Sequence, residues 1–390
     1  MNFDFDRVID RYHTGSMKFD TAQAQGYPAD VMPLWVADMD FMAPPSAREA
    51  LQKSLDHGIF GYSFPMDGYF DALYRWFDKH FDWQLKKEWL VCTPGVVFAL
   101  AAAVRVMAEP GAGVLVLPPV YYPFYNVINQ NGRKVVASEL IYENGRYSID
   151  FADMERKIVE NDVKLFILCS PHNPVCRVWT KEELQRMGAI CKAHGVKVIS
   201  DEIHCDFTFP GHPHTPFVKA CPELIGDTVV CTAPSKSFNL AGLQVSNIFI
   251  PGEQLRKAYQ EEMMRVSYSF PNCLGIVACQ AAYEGGEEWL EACKAYMRDN
   301  LAYVRSFLAE HIPQIKLVEP EGTYFAWLDC TGLGLNKQQL DELIIHKAKL
   351  WLDSGSIFGQ CAELFQRVVL ACPRATLEKA MEQLKAAIQG

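Results

Sequence analysis

The chain has 390 residues, enough for one large α/β domain and a smaller one but too many for a single small core. Its 49% hydrophobic and 22% charged residues are ordinary for a globular protein and exclude a disordered one. A net charge of -10 without a basic cluster argues against binding nucleic acid or an anionic membrane surface. The thirteen cysteines have no C-x-x-C pair or zinc-ligand spacing, so we expect reduced core thiols and no metal site.

The N-terminus does not have the pattern of a targeting segment. The first ten residues, MNFDFDRVID, carry early acidic residues and lack a basic region followed by an apolar run. The longest uncharged window, residues 110–132, contains four prolines and three asparagines, which would break a membrane-spanning helix. We therefore expect a cytoplasmic protein without a membrane segment.

The first half of the chain changes from irregular to alternating. Residues 1–47 are polar and irregular except for an apolar cluster at 34–41, and a helical pattern begins at Ala47. A second helix is predicted over 68–81, with Phe70, Leu73, Trp76 and Phe77 on one face. Seven strands follow, separated mainly by helical patterns, at 89–93, 113–117, 134–139, 164–169, 197–200, 228–232 and 245–250. This alternation predicts a mostly parallel sheet wrapped by helices.

The last third has a different pattern. A long amphipathic helix over 287–311 is followed by strands near 315–318, 324–329 and 366–371 and a terminal helix over 374–388. The sequence therefore predicts a large domain over 48–284 and a small α+β domain over 285–390. Residues 1–47 are expected to join the small domain, since chain termini are often close together.

Three loops, each at the end of a predicted buried strand, contain groups that can do chemistry. They read SPHNPVCR around Asn173, SDEIHCDF around Asp201, and APSKSFNLAGLQ around Lys236. The carboxyl ends of parallel strands are where open α/β sheets bind ligands. An amide, a carboxylate and an amine are thus expected in one crevice, where a desolvated lysine can act as a nucleophile.

Other residues are candidates only in the company of these three. Backbone N–H groups around Gly95, Val96 and Val97, at a predicted strand-to-helix turn, are suited to phosphate. His204 is close to Asp201 in sequence, Tyr121 is suited to stacking on a flat ring, and Arg374 to clamping a carboxylate. Each alone has an ordinary explanation: a turn, a core histidine, a core aromatic and a surface ion pair.

Taken together, these stretches resemble the fold-type I pyridoxal-phosphate enzymes of the class I/II aminotransferase family. The similarity is greatest to the MalY/PatB branch, the cystathionine β-lyases or carbon–sulfur lyases. It extends over nearly the whole chain, in the family's order, through LWVADMDF, GYSFP, TPGVVFAL, PPVYYPFY, SPHNPVCR, SDEIHCDF, SKSFNLAGLQ and ACPR.

The resemblance implies a cofactor, pyridoxal 5'-phosphate, and a role for each candidate residue. Lys236 would form the covalent link to it, Asp201 would pair with its ring nitrogen, and Tyr121 would stack on the ring. Asn173 would contact the phenolic oxygen, with His204 where aminotransferases usually have a tyrosine. The remaining implied roles are phosphate binding by Gly95, Val96, Val97 and Ser235, and substrate binding by Arg374 at the carboxylate, with Asn173 and backbone near Val36 and Ala37. Tyr62 would reach the active site of the other subunit, which implies a homodimer.

The chain departs from the family pattern at three positions. Cys176 replaces a common glycine in the SPHNPVGR motif, Ala233 replaces a phosphate-binding serine, and Gln244 replaces an arginine of aspartate-type aminotransferases. The phosphate cup is therefore expected to be less charged, with Thr232 or Ser235 compensating.

The leading hypothesis is β-elimination from sulfur-containing amino acids, giving pyruvate, ammonia and a thiol such as homocysteine. Transamination is the alternative, because both reactions begin with removal of the Cα proton and no residue named above separates them. A third hypothesis, from a different class, is a pyridoxal-phosphate-binding regulatory protein with a protein partner. The presence of Lys236, Asp201, Asn173 and Arg374 argues against a protein that has lost catalysis.

Overall fold

The computed structural model describes residues 3–390. Its strands are β1 Met32–Pro33, β2 Leu90–Thr93, β3 Gly113–Val116, β4 Lys134–Ala137, β5 Ile141–Glu143, β6 Arg146–Ser148, β7 Val163–Cys169, β8 Lys197–Asp201, β9 Thr228–Thr232, β10 Ser246–Phe249, β11 Lys316–Val318, β12 Phe325–Asp329, β13 Leu350–Trp351, β14 Asp353–Ser354 and β15 Phe365–Val369.

The α-helices are α1 Met17–Asp20, α2 Pro45–His57, α3 Asp67–Phe81, α4 Val96–Met107, α5 Pro123–Gln130, α6 Phe151–Glu160, α7 Lys181–Ala193, α8 Phe217–Ala220, α9 Pro234–Ser237, α10 Glu253–Arg265, α11 Cys273–Gly285, α12 Glu287–His311, α13 Lys337–Asp341 and α14 Arg374–Gln389. A π-helical segment, Glu342–Lys347, continues α13. Short 3-10 helices lie at Gln23–Gln25, Lys87–Trp89, Pro222–Asp227, Ala241–Leu243, Thr331–Leu333, Gly355–Ile357 and Gln360–Ala362.

The large sheet consists of the seven strands expected from the sequence, in the order β2-β10-β9-β8-β7-β3-β4. Only β10 runs antiparallel to its neighbours, so the prediction of a mostly parallel sheet wrapped by helices is confirmed. Strands β3, β9 and β10 are buried at every residue. Helices cover both faces of such a sheet, which explains why these strands are apolar runs without alternation.

The smaller sheet is antiparallel, in the order β11-β12-β15-β14, and packs with α12 and α14. The N-terminal segment joins this lobe, because β1 pairs in parallel with β13 and the N–H of Val369 donates to the carbonyl of Leu34. This pairing supports the expected association of residues 1–47 with the C-terminal third, although residues 1 and 2 lie outside the described residues. The domain boundaries themselves stay a prediction.

The local sequence signals explain the main helices. Thr180 caps α7 in the expected capping box, accepting from the Glu183 N–H while the Glu183 carboxylate accepts from the Thr180 N–H. In α3 the buried face contains Leu73, Trp76 and Phe77 as expected, whereas Phe70 is only partly buried. None of the helices in the described residues is long and apolar enough to cross a membrane.

Candidate active site

One cavity of about 330 Å³ lies at the carboxyl ends of the parallel strands, where the large sheet meets the small lobe. The loops that follow β2, β3, β7, β8 and β9 supply one wall. Strands β14 and β15 of the smaller sheet and residues 35–37 of the N-terminal segment supply the other. The cavity therefore collects side chains from segments far apart in sequence, as expected for a ligand site in an α/β fold.

Lys236 lies in α9, directly after β9, and its amino group points into the cavity. Its Nζ donates to the Ala37 carbonyl at 2.8 Å. The side chain is half-buried because the cavity opens beside it, yet protein surrounds the amino group, and this burial lowers the pKa of Lys236 to about 8. The nearby Asp38 carboxylate opposes the shift. A substantial fraction of Lys236 is thus neutral near physiological pH, as a nucleophile or base requires.

Asp201 and His204 both line the cavity. Burial raises the pKa of the Asp201 carboxyl to about 7, and the Ile203 N–H, 3.2 Å from Oδ1, opposes that rise. Burial, with the nearby charges of Lys236 and Arg367, holds the pKa of His204 well below its usual value. Its Nδ1 is buried and has no hydrogen-bond partner among the described residues. The carboxylate is therefore suited to a cationic partner, and the neutral imidazole to a polar ligand atom.

The start of α4 forms an anion-binding end of the cavity. The N–H groups of Val96, Val97 and Phe98 precede the first intrahelical donor, the N–H of Ala99, and no side chain caps them. Gly95 has φ of +108°, a conformation that residues with a Cβ rarely adopt. Ser235 and Gln244 line the same cavity. Thr232 does not, because its hydroxyl donates to the Asn247 carbonyl at 2.9 Å, so of the two expected compensating residues only Ser235 is in place.

Asn173 is held by an arginine that the sequence analysis did not select. Its Oδ1 accepts a 2.7 Å hydrogen bond from Nη1 of Arg367, a residue of β15. Its Nδ2 donates to none of the described residues and remains for a ligand. Cys176, three residues further on, has φ of +60°, the conformation in which relatives are expected to use glycine. The thiol is buried and accepts a hydrogen bond from the Thr323 hydroxyl at 3.2 Å.

Val36, Ala37 and Tyr121 also line the cavity, as expected. The Ala37 carbonyl accepts from Tyr324 Oη at 2.9 Å as well as from Lys236, which fixes the backbone of the N-terminal segment at the site. Burial raises the pKa of Tyr121, so the phenol stays neutral and presents an uncharged ring to the cavity.

The expectation for Arg374 is corrected, because this residue does not line the cavity. It opens α14, and its Nε donates to Asn300 Oδ1 of α12 at 2.9 Å. Its guanidinium lies 5.0 Å from the centre of the Tyr303 ring. Arg374 therefore ties α14 to α12, and the arginine of the cavity is Arg367.

Tyr62 lies outside the cavity of its own chain. It is 88% exposed, and its ring contacts Phe270 at a centroid distance of 4.8 Å. Several large apolar side chains around it are also exposed: Ile59, Phe60, Phe64 and Met66. Such a patch is typical of a protein interface. The expectation that Tyr62 enters the site of a second subunit stays a prediction.

Four further residues line the cavity but were not predicted from the sequence: Arg367, Asp353, Trp35 and Tyr122. One sequence feature indicated Arg367. It lies inside the predicted strand 366–371, where an arginine is either buried or at the edge of a sheet, and a buried arginine nearly always has a carboxylate or another acceptor as its partner. For Asp353 no strand was predicted, because β14 has only two residues.

Comparisons with known proteins agree with this geometry. A family model for aminotransferase class I and II matches residues 29–384. Cystathionine beta-lyase PatB of Bacillus subtilis (strain 168) is 40% identical over 384 residues, which cover 98% of this chain and 99% of that protein. The structure of cystalysin from Treponema denticola, which contains pyridoxal 5'-phosphate, is similar with a TM-score of 0.95 at 37% identity, covering 100% of this chain and 99% of the other. The pyridoxal-phosphate-bound C-S lyase of Staphylococcus hominis has a TM-score of 0.94 at 35% identity, with coverage of 100% and 99%.

Proposed function

This chain belongs to the class I and II aminotransferase family, and on that basis we propose that it is a pyridoxal-phosphate-dependent carbon–sulfur β-lyase. Its substrates are amino acids with sulfur at Cβ, such as cystathionine, and its products are pyruvate, ammonia and a thiol. The observation that carries the proposal is the convergence of Lys236, Asp201 and Arg367 on one cavity, in a fold shared with solved C-S lyases.

The residues of the cavity fit the cofactor. Residues that line it contain unsatisfied polar groups: the buried Nδ1 of His204, the buried Nε of Arg367 and the uncapped N–H groups at the start of α4. The helix terminus and Ser235 are suited to the phosphate, Asp201 to the protonated ring nitrogen, and Lys236 to the aldehyde carbon. Tyr121 and His204 line the same cavity from the large domain and would contact the ring.

The chain's own groups then handle the substrate. When bound, pyridoxal phosphate supplies a protonated ring that withdraws electrons from Cα of the amino acid. Arg367 and the free Nδ2 of Asn173 hold the α-carboxylate, which orients the Cα–H bond toward Lys236. Neutral Lys236 takes the Cα proton, the Cβ–S bond breaks, and its electron pair leaves on sulfur as the thiolate. The released enamine takes up water and gives pyruvate and ammonia.

Pyruvate release tests the proposal. Purified protein with pyridoxal phosphate is incubated with cystathionine and with S-alkyl cysteines in the absence of any keto acid, and pyruvate and free thiol are measured. We expect both products in equal amounts and none with Lys236→Ala. Amino transfer that strictly requires a keto acid would identify an aminotransferase instead. Cofactor absorbance without turnover of any amino acid would favour the regulatory hypothesis.

The assembly is part of the same proposal. A homodimer covers the exposed patch around Tyr62 and brings that tyrosine to the site of the partner, which explains why it lies outside its own cavity. A regulatory protein partner and a cytoplasmic location stay predictions.

A further inference from the structure

The guanidinium of Arg367 is held by acceptors from three separate segments. Nη1 donates to Asn173 Oδ1 at 2.7 Å, and Nη2 donates to the Trp35 carbonyl at 2.9 Å and to Asp353 Oδ2. An arginine has five N–H donors, so these three bonds leave two. One of the two is Nε–H, which is buried and has no partner among the described residues. The arginine is therefore fixed in place while part of its donor set remains for a ligand.

Asp353 is the acidic member of this arrangement. Strands β14 and β15 are antiparallel neighbours, and Asp353 stands directly opposite Arg367 in their register. Side chains that stand opposite each other on neighbouring strands point to the same face of a sheet. The side chains of Asp353 and Arg367 are only 7% and 3% exposed, so the ion pair is desolvated. Both residues line the cavity.

A buried ion pair of this kind can stabilise the fold, or it can orient one of its partners for a ligand. A buried ion pair on its own is poor evidence for stabilisation, because desolvation offsets most of the attraction. Here one partner also faces the site that binds the substrate carboxylate. A guanidinium with a flexible side chain would otherwise have to be ordered at each binding event, which weakens binding. A carboxylate that holds Nη2 in advance removes that loss.

We propose that Asp353 is a positioning residue, which holds Arg367 in the orientation that binds the α-carboxylate of the substrate. This inference rests on the proposed function only in naming the ligand as an α-amino acid. Asp353 acts through Arg367 and is not expected to touch the reacting atoms. Its loss should therefore weaken the binding of ligands that have a carboxylate and leave ligands without one unaffected.

The test compares two ligands of the holoenzyme that differ by the carboxylate alone, L-alanine and ethylamine. Neither contains sulfur, so their binding, followed by the change in cofactor absorbance, is measurable even if the protein releases no pyruvate from any thioether. For Asp353→Ala we expect the affinity for alanine to fall about 10- to 100-fold, since hydrogen bonds to charged groups are the strong ones. The affinity for ethylamine should stay within about 2-fold, because it does not involve Arg367.

Two further variants act as controls. Asp353→Asn keeps an oxygen acceptor for Nη2, so its affinity for alanine should remain within about 3-fold of the native value. Asp329→Asn changes another buried aspartate of the small lobe, one that accepts from Thr331 and Tyr142 outside the cavity, and both affinities should be unchanged. If Asp353→Ala does not fold, Asp353→Ser takes its place with the same expectations, since its hydroxyl is too short to reach Nη2.

With a thioether substrate, the same change should appear as a raised KM with kcat altered much less. Equal losses of affinity for alanine and ethylamine would show a merely structural role and overturn the proposal. So would an Asp353→Ala protein that binds alanine as the native protein does.

Discussion

Substitution of Arg367 by lysine tests whether Arg367, which lines the cavity, binds the substrate carboxylate in place of Arg374, which the sequence suggested. Lysine keeps the positive charge beside Asp353, which avoids leaving a buried carboxylate unpaired. Its compact ammonium cannot serve Asn173, the Trp35 carbonyl, Asp353 and a substrate carboxylate together. Arg367→Lys is therefore expected to fold and to bind substrate poorly.

The magnitude follows from the bonds at stake. A hydrogen bond to a charged group contributes about 1.5–3 kcal/mol, so two bonds to the carboxylate amount to about 3–6 kcal/mol. At about 1.4 kcal/mol per factor of ten, this corresponds to a loss of about 10²- to 10⁴-fold in kcat/KM. The retained charge places Arg367→Lys near the lower end, about 100-fold.

Arg374→Lys is the matched control. It gives up the Nε bond to Asn300 and the contact with the Tyr303 ring, both outside the cavity. We expect a stability loss of about 1 kcal/mol and kcat/KM within about 2-fold of native. Both variants are assayed for pyruvate release over a range of cystathionine concentrations, and their melting is compared. The assignment of Arg367 is refuted if Arg374→Lys loses activity about 100-fold while Arg367→Lys retains it.

Three other predictions concern the lysine, the aspartate and the dimer. The pKa of Lys236 in the folded protein, about 8, lies below its ordinary 10.5. Between these pH values the folded apoprotein therefore binds fewer protons than the unfolded chain. The contribution of Lys236 to the free energy of unfolding consequently rises with pH from 8 to 10.5. Lys236→Met apoprotein should therefore be more stable than the native apoprotein at pH 7 by about 2 kcal/mol, after allowance for water in the cavity. Denaturant melts should show this difference shrinking from pH 8 to 10.5. A difference that does not depend on pH would contradict the lowered pKa. Asp201→Asn retains the shape but not the charge, so kcat should fall about 10²- to 10³-fold in the pyruvate assay, and native turnover would exclude a role at the ring nitrogen. We expect the Lys236→Ala and Tyr62→Ala proteins to be inactive or nearly so when each is assayed alone. Unfolded and refolded together, they should recover activity, because about a quarter of the sites in randomly mixed dimers combine native residues at both positions. No recovery would contradict a site shared between subunits.

The sequence by itself determined the arrangement of the large domain. Apolar, β-branched runs such as Val163–Cys169 and Thr228–Thr232 can only be satisfied by burial on both faces, which requires a parallel sheet covered by helices. In such a sheet the residues that follow neighbouring strands meet at one edge. This is why Lys236, Asp201 and Asn173 were predictable from the sequence as one crevice.

The small lobe was less predictable because its contribution depends on short and distant pairings. Strands β13 and β14 have two residues each, too few to show any periodicity, and β1 becomes a strand only by pairing with β13, more than 300 residues away. Local pattern carries no information on such contacts, since they are formed by tertiary packing.

The two arginines show most clearly what the sequence predicts and what depends on tertiary packing. Arg367 lies within the last predicted strand, and Arg374 follows it, seven residues further on. Residue type does not distinguish them, because either can bind a carboxylate, and the position of Arg367 inside a strand indicates burial but not the groups it faces. Only the register of β15 against β14 and the packing of the small lobe on the large sheet decide that Arg367 faces Asn173 and Lys236, while Arg374 faces α12. The sequence determined that an amine, a carboxylate and an amide meet at the site, and the tertiary structure decided which arginine joins them.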